Sequence, residues 1–177
     1  MRRIDVSVTE GQGAGVGLLL GMLDDGTNEW RKELGEVPDE AVTWQPFPNG
    51  HSIGGVILHL AAVEVHWLHH VAGGIEPSAE EQQRLMAEAI DQYAVHWPTP
   101  PAHPLAWYFE QHDRVRARTR QILADMDDLE YPARKESRHR GEVEFTLRWL
   151  LHHVITHEAY HGGQAVLLSI MKQKLGA

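Results

Sequence analysis

The sequence predicts an all-α protein, a four-helix bundle with a short extra helix between the second and third long helices. Four long segments carry apolar residues three and four positions apart, which is the period of an amphipathic helix packed on a core. No segment alternates convincingly between apolar and polar residues, although residues 143–145 could extend briefly. The 177 residues fit one domain, residues 1–177, which is large enough to bury a substantial core.

The first long helix is predicted from about Gly15 to Gly35, where the glycine acts as a stop signal. A stiff, proline-rich loop over residues 44–50 precedes the second long helix. Ser52 is a suitable N-cap for that helix, which we expect to end at Gly73. The inward stripes of these two helices comprise Leu19, Leu23, Trp30 and Leu34, then Ile53, Val56, Leu60, Val63 and Trp67.

The second half of the chain supplies the remaining helices. Residues 76–93 indicate the short extra helix, and the segment 97–104 contains four prolines and cannot form a regular helix. Pro104 suits the first turn of the third long helix. We expect residues 131–141 to form a loop, and the last long helix to begin at Thr146 or its neighbour.

The composition excludes several classes of function. The chain has no cysteine, which rules out disulfides, thiolate metal ligands and a cysteine nucleophile, so sulfur chemistry would require a thiol from outside the chain. A formal net charge of -9 opposes binding to a polyanion, so no nucleic-acid partner is expected. Two arginine-rich runs, residues 114–120 and 134–140, are interpreted as solvated surface.

The N-terminal region does not predict a membrane segment. Its apolar stretch from Gly13 to Leu23 is shorter than the roughly 20 residues that span a bilayer. Asp24 and Asp25 follow it, where an export signal would have small residues for cleavage. The sequence therefore predicts a cytoplasmic protein with no membrane partner, in which this stretch belongs to the first helix.

Histidine is over-represented, with 13 residues that fall in clusters. In the last predicted helix, His157 and His161 are four positions apart and therefore lie about 6 Å apart along the axis on one face. Inward Val154 precedes His157 and inward Ala165 follows His161, so both rings are expected to point into the bundle. Such a pair can place two imidazole nitrogens at roughly 2.0–2.1 Å from one zinc-sized ion.

A third ligand is expected from another helix, because two ligands rarely suffice. His59 lies on the inward stripe of the second helix, together with Val56 and Val63. Three neutral imidazoles that leave a fourth position open are typical of a catalytic metal site. The sequence thus predicts one divalent ion on His59, His157 and His161, with zinc or nickel as the first candidates because imidazole suits both.

Two other interpretations of the last helix remain open at this point. His153 shares the face of His157 one turn earlier, so a pair of these two is geometrically as good. Residues 157–161 also match H-E-x-x-H, the zinc-protease motif, in which Glu158 would be the general base. Those proteases commonly set a sheet beside the motif helix, and the sequence predicts no strands for one.

Three further residues are candidates for supporting roles. His51, at the start of the second helix, is a candidate for substrate binding, and His112, on the core stripe of the third helix, is a candidate for the wall of a substrate pocket. Glu64 is five residues past His59, or about 140° around an ideal helix. We therefore expect Glu64 to act on another helix rather than on His59.

At these residues the sequence resembles the DinB-like superfamily of bacterial proteins. Residues 52–55, Ser-Ile-Gly-Gly, and residues 59–64, which begin His-Leu-Ala and end in Glu, are similar to the first metal-ligand helix of that superfamily. Residues 157–164, His-Glu-Ala-Tyr-His-Gly-Gly-Gln, are similar to its second motif, and Trp-Gln-Pro at 44–46 also fits. The resemblance covers most of the chain.

The resemblance implies a four-helix bundle with an open metal site of three histidines, often in a homodimer. Characterised relatives include thiol-dependent enzymes, namely S-transferases for bacillithiol and isomerases that use mycothiol. The resemblance favours the pairing of His157 with His161, and Glu158 or Glu64 would orient a ligand histidine. The sequence departs from the superfamily at Gly162, a position where relatives often have arginine.

Three hypotheses for function follow. The first is a metal-dependent enzyme that transfers a low-molecular-weight thiol to a small electrophile, since a Lewis-acidic ion in a low-dielectric pocket stabilises a thiolate at neutral pH. The second is a metal-dependent hydrolase with Glu158 as the base. The third is a non-enzymatic bundle, in which the ion stabilises the fold or the chain acts as a stress-response binding module.

Overall fold

Four long helices form the bundle that the sequence predicts. The structure, a computed structural model, describes residues 5–91, 93–94, 96–137 and 141–175. In chain order its elements are α1 (Ala14–Leu34), α2 (Asp39–Val42), α3 (Ile53–Glu64), α4 (Ala79–Arg84), α5 (Leu105–Ile122), β1 (Pro132–Ser137), β2 (Gly141–Thr146) and α6 (Leu147–Leu175). A π-helical segment, Val65–Ala72, continues α3 directly. The all-α prediction is confirmed, with α4 as the short extra helix.

The long helices are held together by two apolar clusters. Helix α6 packs against both α1 and α3, and α3 also packs against α5. One cluster includes Ile53, Val56, Leu60, Tyr108 and Leu168. The other includes Leu20, Leu23, Leu123, Leu147 and Leu151. Burying one such aliphatic side chain contributes about 1.5–3 kcal/mol, so the apolar stripes fix the rotation of each helix and thereby the direction of its inward polar residues.

The start of α3 follows the sequence prediction. The Ser52 hydroxyl accepts a hydrogen bond from the backbone N–H of Gly55 at 3.2 Å and caps the helix. At Gly54, an added Cβ would lie 2.6 Å from Cζ of Tyr108, so glycine permits the close approach of α3 and α5. These contacts fix the helix that carries His59.

The predicted loop over residues 131–141 is wrong in part. Strands β1 and β2 pair as an antiparallel hairpin in which Pro132 pairs with Thr146 and Ala133 with Phe145. Residues 138–140 of the predicted loop lie outside the described residues. The Phe145 ring packs against Trp67 with ring centroids 5.4 Å apart, which attaches the hairpin to the bundle. The strands are short and rich in charged residues, so tertiary packing rather than an alternating pattern determines their conformation.

Among the residues that the structure describes, no helix is both long enough and apolar enough to cross a membrane.

Candidate metal centre

Three histidine rings from two helices converge inside the bundle. His59 comes from α3, and His157 and His161 come from successive turns of α6. The ring centroid of His59 lies 4.9 Å from each of the other two, which are 4.3 Å apart. One ring nitrogen of each residue lies within 4.8 Å of those of the other two, a spacing suited to a shared ion.

Apolar packing directs these rings inward. Val56 and Leu60 on α3 are fully buried, and so are Val154 and Ala165 on α6. His59 and His161 share those faces and are only 8% and 5% exposed, whereas His157 is half-buried. The position of the three rings therefore follows from the helix faces that the core requires.

The protonation of the rings suits metal binding. Burial, together with the neighbouring imidazoles of His161 and His59, lowers the pKa of His157 to about 3. Burial also lowers the pKa of His161. The rings of His157 and His161 are therefore neutral at pH 7 and offer a lone pair, the form in which imidazole binds a metal.

The hydrogen bonding of His157 points to a ligand. Its buried Nε2 atom has no hydrogen-bond partner among the described residues. An unsatisfied buried polar atom costs about 1–3 kcal/mol, so native structures rarely keep one without a reason. A cation bound by the three nitrogens would satisfy this atom, and imidazole donors suit zinc, nickel, copper and iron.

Gln164 holds His161 in the orientation that a metal ligand needs. The Nδ1 atom of His161 lies 2.6 Å from Oε1 of Gln164. Because a carbonyl oxygen only accepts, Nδ1 carries the proton and Nε2 keeps its lone pair. Metal-ligating histidines are commonly fixed in this way through their second nitrogen. The sequence motif contains Gln164, but only the structure gives it this role.

His51 and Trp97 cover one side of the three rings. The His51 ring lies against Trp97 with centroids 4.0 Å apart, and it is 6.5 Å from the ring of His161. Trp97 lies 4.9 Å from His59 and 6.2 Å from His161. The structure thus places His51, the predicted substrate-binding residue, next to the three histidines.

Gln45 connects the two segments that carry His51 and Trp97. Its Nε2 donates to the carbonyl oxygens of Gly50 at 2.6 Å and Trp97 at 2.7 Å, and its Oε1 accepts from the Thr99 hydroxyl at 2.9 Å. The backbone N–H of Trp97 donates to the carbonyl of Asn49 at 3.0 Å. Trp97 is not predicted as a site residue from the sequence, because a proline-rich segment has no helical period. Its position next to the Trp-Gln-Pro loop is visible only in the three-dimensional structure.

A second buried cluster contains Glu64, His112 and Glu158, whose ligand atoms also lie within 4.8 Å of one another. Here, however, Arg116 already supplies a cation. Its side chain is buried, so the interpretation of residues 114–120 as solvated surface is wrong at this position. The Nε atom of Arg116 donates to both carboxylate oxygens of Glu64 at 3.0 Å, and its Nη2 lies 3.5 Å from Oε2 of Glu158. A guanidinium is permanently charged, so it neutralises the carboxylates that a metal ion would need.

The tautomer of His112 argues against a metal in this second cluster as well. Nη2 of Arg31 lies 2.8 Å from Nδ1 of His112. A guanidinium can only donate, so Nδ1 accepts and the proton of the neutral ring is on Nε2, which lies 3.3 Å from Oε2 of Glu158. Nδ1 is then occupied, and Nε2, which makes no hydrogen bond among the described residues, carries a proton rather than a lone pair. The donor chemistry favours the three histidines as the metal site.

The structure brings Glu158 and His112 together in this second cluster rather than among the three histidines. Oε1 of Glu158 accepts from the Thr27 hydroxyl at 2.8 Å and from Nε1 of Trp30 at 2.9 Å, and the side chain is 2% exposed. Desolvation opposes the charged form, but the neighbouring His112, Arg116 and Trp30 outweigh it and hold the pKa of Glu158 below its usual range.

Gly162, where relatives often have arginine, is buried between α1 and α6. A Cβ added there would lie 2.5 Å from Cγ of Trp30. Trp30 in turn donates to Glu158, so the glycine permits the contact that satisfies this carboxylate. The departure from the superfamily pattern therefore has a packing reason.

His153, the alternative partner of His157, lies in a different environment. Its ring stacks on Trp149 at 4.9 Å with an interplanar angle of 6°. Its centroid is 6.0 Å from that of His157, compared with 4.3 Å between His157 and His161. The structure therefore groups His161, rather than His153, with His157 and His59.

We predict that Gly162→Ala lowers the free energy of unfolding by about 1–3 kcal/mol, because the new methyl group displaces the Trp30 ring. Gly163→Ala is the matched control: it is exposed on the same helix, and an added Cβ there meets no atom within 4 Å. This control should be stabilising by up to about 1 kcal/mol through helix propensity. Urea unfolding followed by circular dichroism measures both changes, and equal effects would contradict the packing argument.

The chain was matched by the model of a known protein family. The chain matches the family model described as Mycothiol-S-transferase over residues 18–169, a range that contains all three histidines. No curated protein matches the chain. This family is of the DinB type, as the sequence motifs indicate. The chain therefore belongs to the mycothiol S-transferase family, within the DinB-like superfamily.

Proposed function

We propose that this protein binds one divalent metal ion through His59, His157 and His161 and transfers a low-molecular-weight thiol to a small electrophile. The observation that carries the proposal is the convergence of three imidazole rings, one of which, His157, keeps a buried and unpartnered Nε2. The family match adds the class of reaction. Zinc and nickel are the ions that we expect, since both suit imidazole ligands.

The ion would supply Lewis acidity and would lower the pKa of a thiol at the fourth position. The residues of the chain perform the other tasks. The three histidines hold the site as neutral donors, and Gln164 fixes the tautomer of His161. Trp97, which is 1% exposed, and His51 limit the access of water from one side.

The thiol comes from outside, because the chain contains no cysteine. In the proposed reaction, a bond forms between the thiol sulfur and an electrophilic carbon, while the bond from that carbon to its leaving group breaks. The leaving group departs with the bonding electron pair, and the thiol proton passes to solvent. Mycothiol is the first thiol to test, since the matching family is described as its S-transferase.

The hydrolase alternative would use a water molecule and Glu158 as the base. No contact among the described residues favours it, because both oxygens of Glu158 face donors: Thr27 and Trp30 on one side, His112 and Arg116 on the other. We propose instead that Glu158 supports the site by fixing the helix turn that carries His157. The homodimer that the superfamily implies stays a prediction, which the solution mass of the metal-loaded protein tests.

We predict that replacing His59, His157 or His161 singly by alanine weakens metal binding by more than about 100-fold, since removing even a second-shell partner costs 10–100-fold. Protein without a histidine tag should be loaded with zinc or nickel and measured by calorimetry and metal analysis. His153→Ala is the matched control and should bind normally. If His161→Ala binds the metal normally and His153→Ala loses metal binding, the ion is held by His153 and His157 instead.

We predict that the metal-loaded protein, given mycothiol and a small alkyl halide, forms the thioether, and that a chelator or His157→Ala abolishes the reaction. Mass spectrometry of the product measures the transfer directly. Bacillithiol and other low-molecular-weight thiols are assayed in parallel. Inactivity of fully loaded protein with every thiol would overturn the proposed transferase.

We predict that Glu158→Gln lowers the free energy of unfolding by about 1–3 kcal/mol, because the amide places a donor next to Arg116 and His112. Folded, metal-loaded variant should nevertheless keep thiol transfer within about tenfold of the native rate. Denaturant unfolding and single-turnover transfer assays measure the two effects separately. Complete loss of turnover in a folded, metal-loaded variant would point to Glu158 as an essential base.

A further inference from the structure

We propose that the indole N–H of Trp97 is a hydrogen-bond donor to an anionic sulfur or oxygen atom of the ligand that binds beside the three histidines. The inference rests on the proposed function for the location of that ligand, but it does not depend on which reaction follows. It assigns a ligand-binding residue that neither the sequence motifs nor the histidine cluster identifies.

The contacts of Trp97 place it in the site. Its ring lies 4.0 Å from His51, 4.9 Å from His59 and 6.2 Å from His161, measured between ring centroids. On another side, a Cβ added at Gly55 would lie 3.7 Å from Cε3 of the indole. Cε3 belongs to the edge of the indole opposite to Nε1, so the contact with the start of α3 is made by an atom on the other edge from the N–H.

The N–H group of Trp97 is buried but unused. The side chain is 1% exposed, and Nε1 has no hydrogen-bond partner among the described residues. A buried indole usually finds an acceptor, because an unsatisfied donor costs about 1–3 kcal/mol. By contrast, Nε1 of Trp30, also buried, donates to Glu158 at 2.9 Å. The acceptor for Trp97 is therefore expected from a ligand.

The backbone around Trp97 is fixed, which keeps its donor in one position. Gln45 donates to the carbonyl of Trp97 at 2.7 Å, and the N–H of Trp97 donates to the carbonyl of Asn49 at 3.0 Å. The His51 ring packs on the face of the indole. A donor held in place before the ligand arrives loses little conformational entropy on binding, so its hydrogen bond contributes more to affinity.

The chemistry of the indole suits an anionic ligand atom. Indole N–H donates but cannot accept, and it is neither a metal ligand nor a charged group. It therefore does not compete with the ligand for the ion or oppose the ion electrostatically. Hydrogen bonds to charged acceptors are about twice as strong as neutral ones, so the donor favours a thiolate over the neutral thiol.

The test uses zinc-loaded, ¹⁵N-labelled full-length protein and two small anions, hydrosulfide and azide. The chain has six tryptophans, so six indole N–H signals are expected. The signal of Trp97 is identified by its loss in Trp97→Phe and, independently, by nuclear Overhauser contacts to His51. Trp149→Phe is the matched control, since Trp149 is 39% exposed and stacks on His153.

We expect the Trp97 signal to move downfield when either anion saturates the site, while the Trp149 signal stays in place. Trp97→Phe should weaken anion binding by about tenfold, with unchanged zinc affinity, and Trp149→Phe should bind as the native protein does. An anion that binds without moving the Trp97 signal, or equally well to Trp97→Phe, overturns this inference and leaves thiol transfer standing. A signal that moves in a protein inactive with every thiol overturns the transferase alone, and absence of binding of either anion to the zinc-loaded protein overturns this inference alone.

Discussion

The site depends on the register between α3 and α6, which brings three imidazole rings within 4.3–4.9 Å of one another. This register is set by apolar residues, among them Val56 on α3 and Val154 on α6, which are completely or almost completely buried. A shift of one residue would turn a histidine about 100° around its helix and remove it from the group. The apolar core therefore positions polar groups that it does not itself include.

A network of charged side chains further restricts how the four long helices pack. Asp24 on α1, Glu64 on α3, Arg116 on α5 and Glu158 on α6 meet inside the bundle, with Arg116 in contact with all three carboxylates. Buried charges are tolerated only when they are paired. The network is therefore complete at one rotation of each helix and one position of that helix along its axis. Glu158 follows His157 in the chain, so the network and the histidine cluster constrain the same turn of α6.

The sequence predicts the parts of this structure that depend on period and spacing. The four long helices, the inward faces of His59, His157 and His161, and the role of Glu64 on another helix all follow from such patterns. The hairpin around Phe145 and the position of Trp97 depend on contacts between distant segments, which no local pattern encodes. The spacing of His153 and His157 equals that of His157 and His161, so spacing alone does not separate the two pairs. The motif resemblance favours His157 with His161, and in the structure His153 stacks on Trp149 instead.

X-ray absorption at the edge of the bound metal shows which atoms hold the ion. We expect three imidazole nitrogens at about 2.0–2.1 Å and one further light atom, with a sulfur at about 2.3 Å replacing that atom when a thiol is added. Fewer than three imidazoles, a carboxylate of Glu64 or Glu158 bound to the metal, or a closed set of four protein ligands that excludes sulfur would rule out the proposed metal site.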